Sequence, residues 1–104
     1  MTQSKQFDMY SMGFALNRRN FSKWKDRDWR GKKFHFKDGV NGTYQGDGLI
    51  VVRFSNGSME ARSLKGRWFD EVTRIYNGKT LVAERGRRGT LLTTGKGLRN
   101  GRRN

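Results

Sequence analysis

The 104-residue sequence contains no cysteine, no proline and a single histidine. Without cysteine there is no disulfide framework, no thiolate metal site and no cysteine nucleophile. A lone His35 cannot assemble a histidine metal cluster, so neither a metal nor another cofactor is expected. No apolar run approaches the roughly 20 residues that span a bilayer. The opening "MTQSKQFDMYSMGFAL" also lacks a basic start followed by an apolar stretch, so a membrane partner and a secretory leader are not expected. Missing cysteines fit a reducing compartment, and the expected location is cytoplasmic or nucleoid-associated.

Acidic residues are scarce too. Nine Asp and Glu stand against 23 Lys and Arg, for a formal charge of +14. The shortage is uneven: residues 1–33 carry +6, residues 34–84 only +1, and residues 85–104 carry +7 with no acid at all. A near-neutral centre between two basic flanks is the layout of a folded module with arms. Such flanks repel themselves in isolation, and a polyanion is the simplest partner that makes them useful. Keeping a small protein soluble does not require the charge to sit outside the centre.

What the centre does have is glycine: Asp38-Gly39, Asn41-Gly42, Asp47-Gly48, Asn56-Gly57 and Asn77-Gly78 are turn signals. Type I′ hairpin turns need φ > 0 at both central residues, which Asn, Asp and Gly tolerate best. In "LIVVRFSNGSMEARSL", a two-residue Asn56-Gly57 loop sets Phe54 opposite Met59, Arg53 opposite Glu60, Val52 opposite Ala61 and Ile50 opposite Ser63. Phe54, Met59, Val52, Ala61 and Ile50 then share one face. Around Asn77-Gly78, "EVTRIYNGKTLVAE" sets Ile75 opposite Thr80 and Thr73 opposite Val82. "KFHFKDG" and "TYQG" supply a strand pair at the front, and "TLLTT" (90–94) a last strand. The expected class is mainly β over residues 34–94: five or six short strands forming a small SH3-like or OB-like barrel, or a bent antiparallel sheet.

Before this module, "NRRNFSKWKDRDWRGKK" (17–33) reads as a basic amphipathic helix within an N-terminal arm of residues 1–33. Arg19, Lys23, Arg27 and Arg30 fall on one side, with Phe14, Phe21 and Trp24 on another. Asn17 or Asn20 suits the start and Gly31 the stop. Its aromatic side would dock on the β module, leaving Trp24 and Trp29 as core rather than stacking residues. The charged side suits phosphates, an anionic membrane or plain solvent. After the module, residues 95–104 hold too few apolar side chains to bury themselves and are expected to be a disordered Arg/Gly-rich tail that orders on a partner.

Local motifs add little chemistry. "GRRG" (86–89) has the form of a backbone clamp that joins helices, but it sits beside predicted strands. "GKG" (95–97) lacks the spacing and the following Ser or Thr of a phosphate-binding loop. Phe34, Phe36 and Tyr44 are of a type that stacks on bases, although alternation sends Phe34 and Phe36 together into the core. His35, between two phenylalanines, reads as an outer-face strand residue rather than a general base. The acids are scattered, and no nucleophile with an evident base emerges, so an enzyme is not expected.

The sequence therefore points to a nucleic-acid-binding protein, for RNA or DNA, that grips the phosphate backbone through Arg18, Arg19, Lys23, Arg27 and Arg30 of the arm and Arg85, Arg87, Arg88, Arg99, Arg102 and Arg103 of the tail. Two other readings share this composition: an accessory or inhibitor that binds a larger nucleic-acid enzyme, and a structural component of a nucleoprotein particle.

Overall fold

The computed structural model describes residues 12–21 and 23–97. Its β architecture is set by five short turns, each bearing a glycine. Asp47 and Gly48, at φ 54° and 76°, form the one turn with two left-handed residues. It joins β3 (Asn41–Gly46) to β4 (Leu49–Arg53) as a type I′ connection. Gly78, at φ 62° and followed by Lys79, joins β6 (Val72–Asn77) to β7 (Thr80–Arg85). The other three hairpins repeat one design, in which the first residue donates its N–H to the carbonyl four positions on and its own carbonyl accepts the N–H of a left-handed glycine three positions on. Phe36 N–H reaches Val40 O at 2.9 Å, Phe54 N–H reaches Ser58 O at 2.9 Å and Gly86 N–H reaches Thr90 O at 2.8 Å. These turns link β2 (Lys33–Phe36) to β3, β4 to β5 (Met59–Ser63), and β7 to β8 (Leu91–Thr94).

Among the described residues the strands number eight rather than five or six, and they form one antiparallel sheet in the order β1-β8-β7-β6-β2-β3-β4-β5. The barrel alternative is corrected: β1 (Met12–Leu16) and β5 are edges and do not pair with each other. The additional strand β1 is the "MGFAL" segment, which pairs with β8, Leu16 opposite Leu91. Gly42, expected in a turn, lies inside β3 opposite Val52.

Both hairpin registers differ from expectation. The loop around Asn56-Gly57 has three residues, so Arg53 faces Met59, Val52 faces Glu60 and Ile50 faces Arg62. Because side chains alternate with a period of two, this one-residue slip turns Met59 and Ala61 outward and Arg62 inward. In the other hairpin the loop is Gly78-Lys79, and a bulge between Ile75 and Tyr76 sets Tyr76 opposite Leu81 and Ile75 opposite Ala83.

The expected continuous helix over 17–33 is two four-residue helices, α1 (Arg18–Phe21) and α2 (Asp26–Trp29). A straight helix would place Trp24 and Trp29 about 140° apart around its axis. The break lets them meet at 4.8 Å between ring centres, and stacks Phe21 on Trp29 at 4.8 Å. Asn17 starts α1, its Oδ1 accepting Asn20 N–H at 2.9 Å while Asn20 Oδ1 accepts Asn17 N–H at 3.0 Å. Gly31, at φ 83°, follows α2. Phe21, Trp24 and Trp29 enter the same core as Phe34, Phe36, Tyr44, Ile50, Val52, Val82 and Leu91. Residues 12–33 thus share the core of the β module rather than standing outside it. Most of the expected tail, residues 98–104, lies outside the described residues.

Candidate nucleic-acid interface

Helix α2 is fixed to the sheet by a hydrogen-bonded triangle. Tyr44 Oη donates to Asp26 Oδ1 at 2.8 Å and accepts Gly48 N–H at 2.8 Å, while Asp26 Oδ2 accepts Asp47 N–H at 3.1 Å. Burial, and then the Asp26 hydrogen bond, push the Tyr44 phenol up to about 12. The same hydrogen bond, with that from Asp47, holds Asp26 below the usual carboxylate range. Both groups are moved away from neutrality, and the three hydrogen bonds anchor α2 to the β3–β4 turn. On this anchored turn Arg27 and Arg30 stand exposed. Arg30 is partly committed, donating to Gln45 O at 2.5 Å.

Helix α1 faces the β7–β8 turn across a groove of about 390 Å³ lined by Arg18, Asp70, Arg85, Gly89 and Thr90. Arg18 Nη2 pairs with Asp70 Oδ2 at 3.3 Å with both side chains more than half exposed, an arrangement that contributes little stability. A second groove, of about 320 Å³, shares Arg18 and continues past Asp26 to Lys65. The two grooves share Arg18, and the acids Asp70, Asp26 and Asp47 line them beside the cations. Arg18, Arg19, Lys23, Arg27, Arg30, Arg87 and Arg88 are all exposed.

Arg85 is committed within the fold. Its Nε donates to Val72 O at 2.6 Å, Nη1 to Gly89 O at 2.6 Å and Nη2 to Phe69 O at 2.9 Å. Burial pulls its pKa down. It is a clamp that ties β7 to the 3₁₀ turn at Arg67–Glu71 and to the β7–β8 turn that bears Arg87 and Arg88. Arg99, Arg102 and Arg103 lie outside the described residues. The rings considered for stacking are also reassigned: Phe34 and Phe36 are 0% and 2% exposed and Tyr44 is 3% exposed, so their faces meet other side chains rather than bases.

The sequence reading missed several exposed cations: Lys33 at the end of the first flank, and Lys37, Arg53 and Lys79 in the centre. Their signal was strand alternation: Lys33 and Arg53 take the opposite parity to Phe34 and Val52 on their strands. Among the described residues no three His, Cys, Asp or Glu side chains gather as metal ligands, and no helix is long and apolar enough to cross a membrane. Compared with protein-family models, curated proteins and solved structures, the chain matches none.

Proposed function

We propose that this chain is a nucleic-acid-binding protein that grips the phosphate backbone of RNA or DNA along the basic border formed by α1, α2 and the β7–β8 turn. The observation that carries the reading is where the acids go. Asp38 and Glu60 hold Arg62, Asp47 holds Lys65, Asp70 holds Arg18 and Glu84 holds Arg74. Asp26 receives Tyr44, and Asp28 Oδ2 accepts Lys25 N–H at 3.2 Å. With these seven of the nine acids already paired or hydrogen-bonded within the chain, exposed cations such as Arg87 and Arg88 are the ones offered to an external anion. Their effect on a nucleic acid is phosphate neutralisation with counterion release, which is independent of sequence and steep in salt.

The test is the affinity of the full chain for short RNA and DNA at several salt concentrations. The reading expects binding that falls steeply with salt and little discrimination among sequences. Absence of binding at physiological salt overturns it.

One observation favours the accessory-protein reading. Met12 and Met59, on the two edge strands, are 78% and 61% exposed, and unpaired edges with apolar side chains suit a protein partner. A stoichiometric complex that survives nuclease treatment would support that reading.

A further inference from the structure

In the middle of the sheet, the β2–β6 ladder sets Lys33 opposite Tyr76 and His35 opposite Arg74. The four side chains form a square, with two rings on one diagonal and two cations on the other. The rings touch, their centres 5.0 Å apart and their planes at 59°. Their strand neighbours Phe34, Phe36 and Ile75 point into the core, so alternation puts the square on the opposite face. Helices α1 and α2 pack on the core side through Phe21 and Trp29, and both rings keep part of their surface in solvent. On the adjoining strand, Thr43 stands beside Lys33 and Asn41 beside His35, adding donors and acceptors of the kind that meet base edges. Glu84 faces Arg74 from β7 and accepts its Nε at 3.0 Å.

Burial, reinforced by Lys33 and Arg74, lowers the His35 pKa below its ordinary 6.5. Near neutrality the imidazole is therefore an uncharged ring, and the charge in the square belongs to its two neighbours.

We propose that this square is a stacking platform for the unpaired bases of single-stranded RNA or DNA, with Tyr76 and His35 meeting base faces and Lys33 and Arg74 meeting the adjacent phosphates. The proposal rests on the nucleic-acid reading above and deepens it, because the basic border alone does not distinguish single strands from duplexes. In a duplex the base faces are occupied by one another. In a single strand they are free, and aromatic side chains between cations are what such a strand recruits.

The experiment compares affinities of the full chain for oligo-uridine, oligo-thymidine, a DNA duplex and inorganic polyphosphate, which carries the charge without bases. Tyr76→Leu should lower the ratio of single-strand to polyphosphate affinity roughly five- to a hundredfold, and Tyr76→Phe should recover it. Glu84→Gln, which releases Arg74, should raise single-strand affinity. Photo-cross-linking of 5-iodouridine oligomers to the unmodified chain should map to the peptide holding Tyr76, which keeps the proposal testable if the leucine variant fails to fold. Oligo-uridine and oligo-thymidine separate RNA from DNA as the source of the bases. An unchanged ratio in a folded Tyr76→Leu variant, or cross-links confined to the α1–α2 border, would overturn the platform and leave the backbone grip standing. Failure of every nucleic acid to bind would overturn both.

Discussion

The guanidinium of Arg62 lies 4.0 Å from the centre of the Trp68 ring while its Nε and Nη2 donate to Glu60 Oε2 and Asp38 Oδ2, each at 2.9 Å. It sits among core side chains with 4% of its side chain exposed, whereas its two carboxylates remain about half in water. Burial alone would pull the Arg62 pKa down, but the hydrogen bonds to Asp38 and Glu60 outweigh it and raise the value. Removing a buried charge's hydrogen-bonding partner is expensive, but here the acids left behind can rehydrate. Arg62→Ala should therefore cost about 2–4 kcal/mol, chiefly through lost packing on Trp68 and Phe36 and lost charge-assisted hydrogen bonds. Arg62→Met, which refills the volume, should cost less. Urea denaturation of the two variants checks the order; equal losses would mean that packing contributes little.

The same clasp predicts the acid limb of stability. Hydrogen bonds from Arg62, aided by Val40 N–H and opposed by partial burial, hold the Asp38 carboxyl below its ordinary 3.8. In the unfolded chain it titrates at the ordinary value. Above about pH 5 both states are ionised and the stabilisation is fully present. As pH falls through 3.8 the unfolded chain takes up the proton first, and stability is lost until the folded carboxyl is protonated too. Asp38→Asn should be less stable at neutral pH and lose less between about pH 5 and about pH 2. Parallel pH profiles of the urea midpoint for the two proteins would contradict this.

The clasp also marks where the sequence stopped being readable. Turn chemistry located the β2–β3, β3–β4, β4–β5 and β6–β7 connections, because Asp-Gly and Asn-Gly pairs mark tight turns. They do not state whether a loop has two residues or three, and that difference sets which face Met59 or Arg62 occupies. Binary patterning favoured Met59 and Ala61 inward. The opposite register prevails with Leu64 buried and Arg62 satisfied by Asp38, a partner 24 residues away in sequence. Likewise the apolar stripe of Phe21 and Trp24 identified a docking face. Trp24 and Trp29 were both expected in the core and both are buried; nothing local announced that the helix would break to bring them together. At the candidate interface the exposed arginines were legible from charge alone. Arg85 was not, since two of its three carbonyl acceptors, Val72 and Phe69, lie 13 and 16 residues away, and Tyr76 was hidden by the bulge that fixes its register.

Two glycines separate steric from conformational cost. A Cβ on Gly42 would meet Val51 O at 2.4 Å and Ile50 Cγ2 at 2.8 Å, so Gly42→Ala forces β3 away from β4 and should cost about 2–3 kcal/mol. A Cβ on Gly57 would meet nothing within 4 Å, but its φ of 91° is strained for any L side chain. Gly57→Ala should therefore cost about 1–2 kcal/mol. Thermal denaturation should rank Gly42→Ala as the more damaging; the reverse order would show that β4 yields more readily than the turn.

Arg85, Arg87 and Arg88 sit within four residues of one another and should respond in opposite ways. Arg85 satisfies the carbonyls of Phe69, Val72 and Gly89, and Arg85→Ala leaves those acceptors without their donor, for a loss of about 2–3 kcal/mol of stability. Arg87 and Arg88 occupy the exposed tip of the β7–β8 turn, where substitution by Gln should leave the urea midpoint unchanged. If the basic border grips phosphates, each Gln variant should lower the slope of log affinity against log salt by about 1. Arg85→Gln, by contrast, should shift stability more than salt slope. Measuring both quantities on all three variants distinguishes a clamp that shapes the turn from the side chains that the turn presents; a salt slope that fell only with Arg85 would assign the contact to the wrong residues.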